Sequence, residues 1–139
     1  MIILDTNVVS EPLRARGDLN VIAWLDRQVT ESLYLTATSL AELLVDIQAL
    51  PSGKRKAALA GGLAALIERL FESCILPFDQ ATAGAYASII GRARSEGHAI
   101  AMADGQIAAI AAVHGFTVVT RDATPFIAAG TPVIDPWKQ

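Results

Sequence analysis

The chain has 139 residues, 53% of them apolar, which suits one domain with a substantial core, because domains commonly run to about 100–200 residues. No window approaches the roughly 18 consecutive apolar residues of a membrane span, and Asp5 interrupts the apolar opening where a signal peptide would continue. The net charge of −3 argues against a protein that binds nucleic acid through a broadly basic surface.

The first half of the chain alternates short β-like runs with longer helical patterns. Residues 2–4 are apolar and partly β-branched, which is typical of a buried parallel strand. Apolar residues at helical spacing predict a helix over 18–28, and residues 33–36 form a second strand-like run. A helix is then predicted from Thr38 or Ser39 to about Leu50, before a Pro-Ser-Gly stop. A further helical pattern covers 54–72, with a weak point at its two central glycines.

The second half continues the alternation and decides the fold class. A third strand is predicted at 74–76, a fourth at 116–120 and a short fifth at 132–134. One helix is predicted from Asp79 as N-cap to about Glu96, with Gly97 as the C′ residue, and another at 103–113, ended by Gly115. Strands that alternate with helices predict parallel pairing and right-handed crossovers. We therefore expect one domain over 1–139, an α/β/α sandwich whose central, mostly parallel sheet has four to five strands.

The single cysteine, Cys74, lies in the third predicted strand. It cannot form an internal disulfide, and we expect it to be a buried, inert apolar residue, as free cysteines usually are. This cysteine usage is consistent with a reducing, cytoplasmic location.

Four acidic residues occupy equivalent places in this pattern. Asp5 follows the first strand and Asp122 lies just past the fourth, whereas Glu42 and Asp104 lie in the opening turns of helices. In an open α/β sheet, the carboxyl ends of strands and the starts of helices face one crevice, where ligands bind. We therefore expect the four carboxylates to converge there, and converged carboxylates imply a hard divalent cation. A metal-dependent active site is the leading hypothesis.

Each acid also has a purely structural interpretation. Asp5 is placed to cap a helix that follows it, and residues 39–42 match a capping box in which Glu42 bonds back to the N-cap amide. Asp104 in a first helical turn is favoured by the macrodipole, and Asp122 suits a turn or cap. The residues by themselves leave both interpretations open.

Other common chemistries are less well supported. Gly53-Lys54 lacks the earlier glycine and the following hydroxyl residue of a phosphate-binding loop, and no dinucleotide-binding glycine motif follows the first strand. A zinc site needs clustered Cys and His, and Cys74, His98 and His114 do not form such a cluster. A mechanism built on two histidines is disfavoured for the same reason.

The segments around the four acids carry a family resemblance. Asp5-Thr6-Asn7 after a three-residue strand, the segment 38–43, the segment 103–109 and Thr120-Arg121-Asp122 resemble, in order and spacing, the acid motifs of PIN-domain ribonucleases. The flanking segments 9–11, 75–79 and 135–137 look like those of the VapC toxin branch, particularly its FitB-like members. The likeness runs from Met1 to Trp137, although residues 50–73 resemble nothing diagnostic.

The resemblance implies a function. It points to a PIN-like fold and to a metal-dependent endoribonuclease that is the toxin of a type II, VapBC-like toxin–antitoxin system. Mg²⁺ or Mn²⁺ would be held by Asp5 and Asp104 as the nearest ligands, with Asp122 and Glu42 acting partly through water, and cleavage would leave 5′-phosphate and 3′-hydroxyl ends. The implied partners are RNA, a VapB-type antitoxin whose C-terminal segment covers the acidic crevice, and a second copy in a homodimer or a larger toxin–antitoxin assembly.

Residues next to the acids are candidates for supporting roles. Asn7 and Thr120 are expected to orient the carboxylates, although each also suits an ordinary turn or strand position. Because the chain is acidic, RNA requires local cations at the crevice, and Arg14, Arg16 and Arg121 are nearest to the acids in sequence. The basic run 54–56 is either a distal RNA contact or a solvated helix start.

Two other functions remain open. One is a PIN-like module that binds without catalysis, which the presence of all four acids disfavours. The other is a metal-dependent phosphohydrolase of small phosphoesters, but a nucleophilic phosphatase commonly needs a second Asp where this chain has Asn7.

Overall fold

The structure is a computed structural model that describes residues 1–72 and 74–139, and within these ranges it contains five strands and seven α-helices. In chain order they are β1 (Ile2–Leu4), α1 (Thr6–Ser10), α2 (Leu19–Asp26), β2 (Leu33–Thr36), α3 (Ala37–Gln48), α4 (Lys54–Phe71), β3 (Ile75–Leu76), α5 (Gln80–Ser95), α6 (Met102–His114), β4 (Thr117–Val119), α7 (Thr124–Ala128) and β5 (Val133–Ile134). Short 3-10 turns follow α1, precede β2 and end the chain.

The five strands form one parallel sheet in the order β3-β2-β1-β4-β5. This confirms the predicted fold class and the fifth strand. The chain leaves β1 toward β2 on one side and later returns to β4 on the other, so the winding direction reverses between β1 and β4. Ligands of open α/β sheets bind outside the carboxyl ends of the strands at this reversal point. Leu4 pairs with Val119 there, which brings the residues that follow both strands side by side.

Both faces of the sheet are covered by helices, because successive strand residues point to opposite faces. Leu4 and Val119 belong to a core formed with α1 to α4, and Ile3 and Val118 to a second core formed with α5, α6 and α7. Each fully buried aliphatic side chain contributes about 1.5–3 kcal/mol of transfer free energy. The two cores give the α/β/α sandwich that the alternating pattern predicts.

A polar cap precedes α5, and glycines follow α5 and α6, where the sequence indicates. The Asp79 carboxylate accepts from the Thr82 amide, and the Thr82 hydroxyl accepts from the Asp79 amide in return, which makes a reciprocal capping box before α5. Gly97 and Gly115 follow α5 and α6 with φ of 79° and 71°, a backbone conformation that favours glycine. Among the described helices, none is long and apolar enough to cross a membrane.

Two local predictions are wrong. Helix α3 begins at Ala37, and its N-cap is Thr36, whose hydroxyl accepts from the Ser39 amide at 3.0 Å. Ser39 therefore lies inside the helix and Glu42 in its second turn, so the capping box considered as the structural alternative for 39–42 does not form. Cys74 is only half-buried and precedes β3 rather than lying within it, although its carbonyl accepts from the Leu35 amide.

Candidate active site

Asp5 is fixed on both carboxylate oxygens at the carboxyl end of β1. It is 5% exposed, and as the N-cap of α1 its Oδ1 accepts from the Thr6 amide at 2.8 Å. Its Oδ2 accepts from the buried hydroxyl of Thr120, also at 2.8 Å. Thr120 directly follows β4, so this hydrogen bond is a consequence of the Leu4–Val119 register. Asp5 is thus the helix cap that the sequence allows and also a side chain anchored at the crevice.

The Thr120 hydroxyl joins the two loops that carry Asp5 and Asp122. It donates to Asp5 and accepts from the Asn7 amide nitrogen at 3.2 Å and from the Asp122 backbone amide at 3.0 Å. A hydroxyl has one proton and two lone pairs, so all of its bonding capacity is used. The Asn7 side-chain oxygen accepts in turn from the Arg121 amide at 3.2 Å. These bonds hold both loops in one arrangement.

Glu42 and Asp104 approach the same end of the sheet on helices α3 and α6. Asp104 lies in the first turn of α6, and both side chains are half-buried. The two helices are joined by the Thr38 hydroxyl, which donates to the side-chain oxygen of Gln106 at 2.9 Å. This bridge lies four residues before Glu42 and two residues after Asp104, so it fixes the spacing of the two acids.

Burial and repulsion between neighbouring carboxylates raise the pKa values of Asp5, Glu42 and Asp104. For Asp5, burial raises the pKa above its ordinary value of 3.8, hydrogen bonds from Thr120 and Thr6 partly offset this, and the charge of Asp122 adds to it. For Asp104, burial is again the largest cause of a raised pKa, followed by the charges of Asp5 and Asp122. The acids therefore act on one another electrostatically, as carboxylates do when they share a site.

Glu42 belongs to the same group, and a fifth acid that the sequence pattern did not single out, Asp46, lies near it. Burial raises the pKa of Glu42, followed by the charges of Asp5, Asp104 and Asp46. Asp46 lies one helical turn after Glu42 on α3, and residues four apart on a helix lie on the same face. That spacing is the sequence signal by which Asp46 could have been found.

Two neighbouring cavities border the acids. The smaller, of about 430 Å³, lies between α1, α3 and α6 and is lined by Thr6, Thr38, Glu42, Asp46 and Gln106, among others. The larger has a volume of about 800 Å³ and includes Asp46 in its wall. Asp46 therefore marks the place where the two cavities adjoin.

The larger cavity is apolar with a basic rim. Its lining includes the apolar side chains of Leu13, Leu43, Ile47, Leu59 and Leu63 and the cations of Arg14, Arg16 and Arg55. The cavity is thus an apolar groove edged with arginines, unlike the oxygen-rich crevice beside it.

The arrangement of the acids suits a divalent cation that keeps several waters better than a metal ion coordinated by side chains alone. In residues 1–72 and 74–139, no three His, Cys, Asp or Glu side chains are grouped closely enough to hold a metal ion by themselves. None of the four acids forms an ion pair with a described Lys or Arg either, since the ion pair found there joins Arg14 to Glu11. Uncompensated carboxylates that do not close into a cage suit Mg²⁺, which is usually bound by one or two carboxylates and keeps several waters.

Two of the three arginines expected to contact phosphate have other surroundings. Arg14 Nη1 lies 3.0 Å from Oε1 of Glu11, whose side chain is 3% exposed. Arg14 therefore neutralises a buried carboxylate before it can serve any ligand. Arg16 is exposed and lines the larger, apolar cavity rather than the acidic crevice.

Replacing Arg14 with Ala is expected to lower the free energy of unfolding by about 1–3 kcal/mol, because a buried charged acceptor loses its partner. The second contact of Glu11, with the Asp18 amide, is long at 3.5 Å and cannot compensate. Urea unfolding measures the effect, and Arg16→Ala is the matched control that removes the same charge from a neighbouring exposed position. Equal stability of the two variants would show that the ion pair contributes nothing.

Comparisons with known proteins match most of the chain. The PIN-domain family model matches residues 2–130. VapC ribonuclease Y4jK of Sinorhizobium fredii is 44% identical over 138 residues, and toxin FitB of Neisseria gonorrhoeae is 47% identical over 137, with 99% of both chains covered in each case. The solved structure of FitAB bound to the IR36 DNA fragment superposes with a TM-score of 0.93 at 46% identity, covering 99% of this chain and 96% of that one.

Proposed function

Since the chain belongs to the PIN-domain family, we propose that it is a metal-dependent endoribonuclease and the toxin of a type II, VapBC-like toxin–antitoxin system. The observation that carries this proposal is the group of four acids at the β1–β4 reversal point. The charges of neighbouring acids contribute to the raised pKa values of Asp5, Glu42 and Asp104, and none of the four acids forms an ion pair with a described Lys or Arg. On this proposal residues 1–139 are one nuclease domain that acts on cytoplasmic RNA.

The proposed metal is Mg²⁺ or Mn²⁺. Asp5 and Asp104 would be its nearest ligands, with Asp122 and Glu42 acting partly through water. When bound, a divalent cation lowers the pKa of a coordinated water and stabilises negative charge on a phosphate that undergoes displacement. The oxygen-only donor set and its uncompensated charge support this assignment.

The remaining work falls to the chain's own residues. The Thr120 hydroxyl and the Thr6 amide each hold one oxygen of Asp5, so its carboxylate plane is fixed before RNA arrives. Asn7 holds Thr120 and the Arg121 amide together, which keeps Asp122 beside Asp5. Groups that orient ligands in this way commonly contribute about 10–100-fold to metal affinity or activity. By family likeness the products carry 5′-phosphate and 3′-hydroxyl ends.

The antitoxin is proposed to occupy the apolar, arginine-edged cavity. A structure similar to this chain is that of FitAB bound to a DNA fragment. By this likeness, the chain is proposed to assemble with a VapB-type antitoxin, as a homodimer or in a larger complex. Apolar walls edged by Arg16 and Arg55 suit a segment with apolar and acidic side chains. Because Asp46 borders both cavities, a segment seated there reaches the acidic crevice and blocks it.

The direct test is cleavage of single-stranded RNA by the purified chain. We expect cleavage with Mg²⁺ or Mn²⁺, none with a chelator, and product ends that a ligase requiring 5′-phosphate accepts. Inhibition by the partner encoded beside the gene would support the toxin assignment. Hydrolysis of a small phosphoester such as p-nitrophenyl phosphate without RNA cleavage would replace the proposal with the phosphohydrolase alternative. Metal-independent RNA binding without any hydrolysis would favour the non-catalytic module.

Glu42→Gln is expected to reduce cleavage strongly while the melting temperature stays the same or rises slightly. The charge disappears, the shape remains, and Glu42 has no capping bond to lose because it lies in the second turn of α3. Asp46→Asn, one turn later on the same face, is the control for a general change in crevice charge. If Glu42→Gln cleaves at the wild-type rate, Glu42 is not part of the metal site.

A further inference from the structure

The Arg121 side chain lies beside the acids but contacts an aromatic ring instead of a carboxylate. Arg121 stands between Thr120 and Asp122, at the lip of the crevice, and is exposed. Its guanidinium carbon lies 5.0 Å from the centre of the Trp137 ring, within the range of a cation–π contact. Over the described residues, this guanidinium forms no ion pair with any carboxylate, not even with the adjacent Asp122. It is a cation beside the acids that does not neutralise them.

The ring beneath the guanidinium is itself fixed. The Asp135 carboxylate accepts from the Trp137 amide at 2.9 Å, and the Trp137 side chain packs against the core of α1 to α4. Strand β5, which leads into this segment, pairs with β4 through Val119 and Ile134. The C-terminal turn is therefore attached to the strand whose end carries Arg121.

The other end of Arg121 is equally constrained. Its backbone amide donates to the Asn7 side chain, which also holds the Thr120 hydroxyl. Both the backbone amide and the guanidinium of Arg121 are thus held in place in the free protein. A long side chain that is already ordered loses less conformational entropy when it binds a ligand.

We infer that Arg121, held over the Trp137 ring, is a preformed contact for a backbone phosphate of the RNA next to the scissile bond. This inference rests on the proposed ribonuclease function and names the residue that brings an anionic strand to an acidic crevice. The guanidinium fork matches phosphate oxygens in a bidentate manner, which a lysine ammonium cannot do. Arg14, by contrast, is occupied by Glu11, and Arg16 faces the apolar cavity.

The experiment measures binding of a short single-stranded RNA to the full chain carrying Asp104→Asn, over a series of salt concentrations. Adding Arg121→Ala is expected to weaken binding about tenfold, the equivalent of about 1.4 kcal/mol. It should also reduce the slope of log affinity against log salt by about 0.7, the value for one phosphate contact on a single strand. Arg121→Lys should keep the slope but recover only part of the affinity. Trp137→Leu, which keeps the charge and much of the packing, should keep the slope and weaken binding.

Arg27→Ala is the matched control, because it removes one exposed positive charge six residues before β2, at the amino end of the parallel sheet. It should leave affinity and slope unchanged. In the active chain, Arg121→Ala should raise KM for RNA about tenfold and change kcat by less than about twofold, since the contact is made in both ground and transition state.

Three results would overturn the inference. Arg121→Ala could bind within about twofold of its parent, it could alter the slope no more than Arg27→Ala, or Trp137→Leu could leave affinity unchanged. Cleavage of RNA by the unsubstituted chain separates this from the broader proposal: if the chain cleaves RNA normally, only the role of Arg121 fails. If the parent binds no RNA at any salt concentration and cleaves none, the ribonuclease proposal fails and the role of Arg121 falls with it.

Discussion

Replacing Asp104 with Asn is expected to reduce RNA cleavage by more than about 100-fold, the upper limit of what residues that only orient a metal ligand cost, while the fold survives. Asn preserves the shape of the side chain and removes the charge that the proposed cation needs. Asp104 lies in the first turn of α6, where a neutral side chain loses only a modest interaction with the helix dipole. Cleavage assays with Mg²⁺, alongside circular dichroism of the same preparation, measure both parts of the expectation.

The same substitution should stabilise the metal-free protein at neutral pH and have no effect at acidic pH. The pKa of Asp104 is raised in the folded chain above its ordinary value of 3.8 by burial and by the charges of Asp5 and Asp122. A carboxyl whose pKa is higher in the folded than in the unfolded chain makes its full contribution to the free energy of unfolding below its unfolded-state pKa. That contribution is lost as the pH rises through its folded-state pKa. Thermal melts in chelator across this range should therefore diverge as pH increases, with Asp104→Asn higher.

Asp26→Asn is the control, since it removes one negative charge from the exposed end of α2. Wild-type cleavage by Asp104→Asn in metal-replete buffer, with contaminating nucleases excluded, would contradict the proposed site. A melting temperature that falls equally at every pH would show that Asp104 serves the fold rather than a metal.

Thr120→Val is expected to impair both stability and cleavage, although it changes neither charge nor shape. The hydroxyl donates to Asp5 and accepts from Asn7 and from the Asp122 amide, so three partners lose a hydrogen bond in a buried place. We expect a loss of about 1–3 kcal/mol in unfolding free energy and of about 10–100-fold in cleavage, because the Asp5 carboxylate is no longer oriented.

Two matched variants separate these effects. Thr120→Ser restores the hydroxyl and should recover most of the cleavage rate. Thr117→Val makes the same chemical change at the opposite end of β4, away from the acids, and should leave cleavage unchanged. If Thr120→Val cleaves as fast as Thr117→Val, the hydrogen bonds from Thr120 do not orient a catalytic carboxylate.

The sequence alone determined the elements and their class, because periodicity and caps are local properties. Strand β2 lies where the alternation predicts it, Asp79 caps α5, and Gly97 and Gly115 end their helices with positive φ. The error at α3 is also local. Thr36 and Ser39 are both good N-cap residues, and the choice of Thr36 follows from where the buried strand β2 ends. The family motifs likewise pointed to the four acids, and to the chemistry proposed for them, without coordinates.

Only the tertiary structure decided which side chains share an environment, because such contacts join residues far apart in the chain. The order β2-β1-β4 and the Leu4–Val119 register bring Thr120 to Asp5 across 115 positions. Neither residue's local sequence contains that pairing. The same holds for Arg121, whose contact with Trp137 depends on β5 pairing with β4. Conversely, Arg14 is close to the acids in sequence, yet burial of Glu11 commits it to the fold, since an unpaired buried carboxylate costs more than an exposed arginine gains elsewhere.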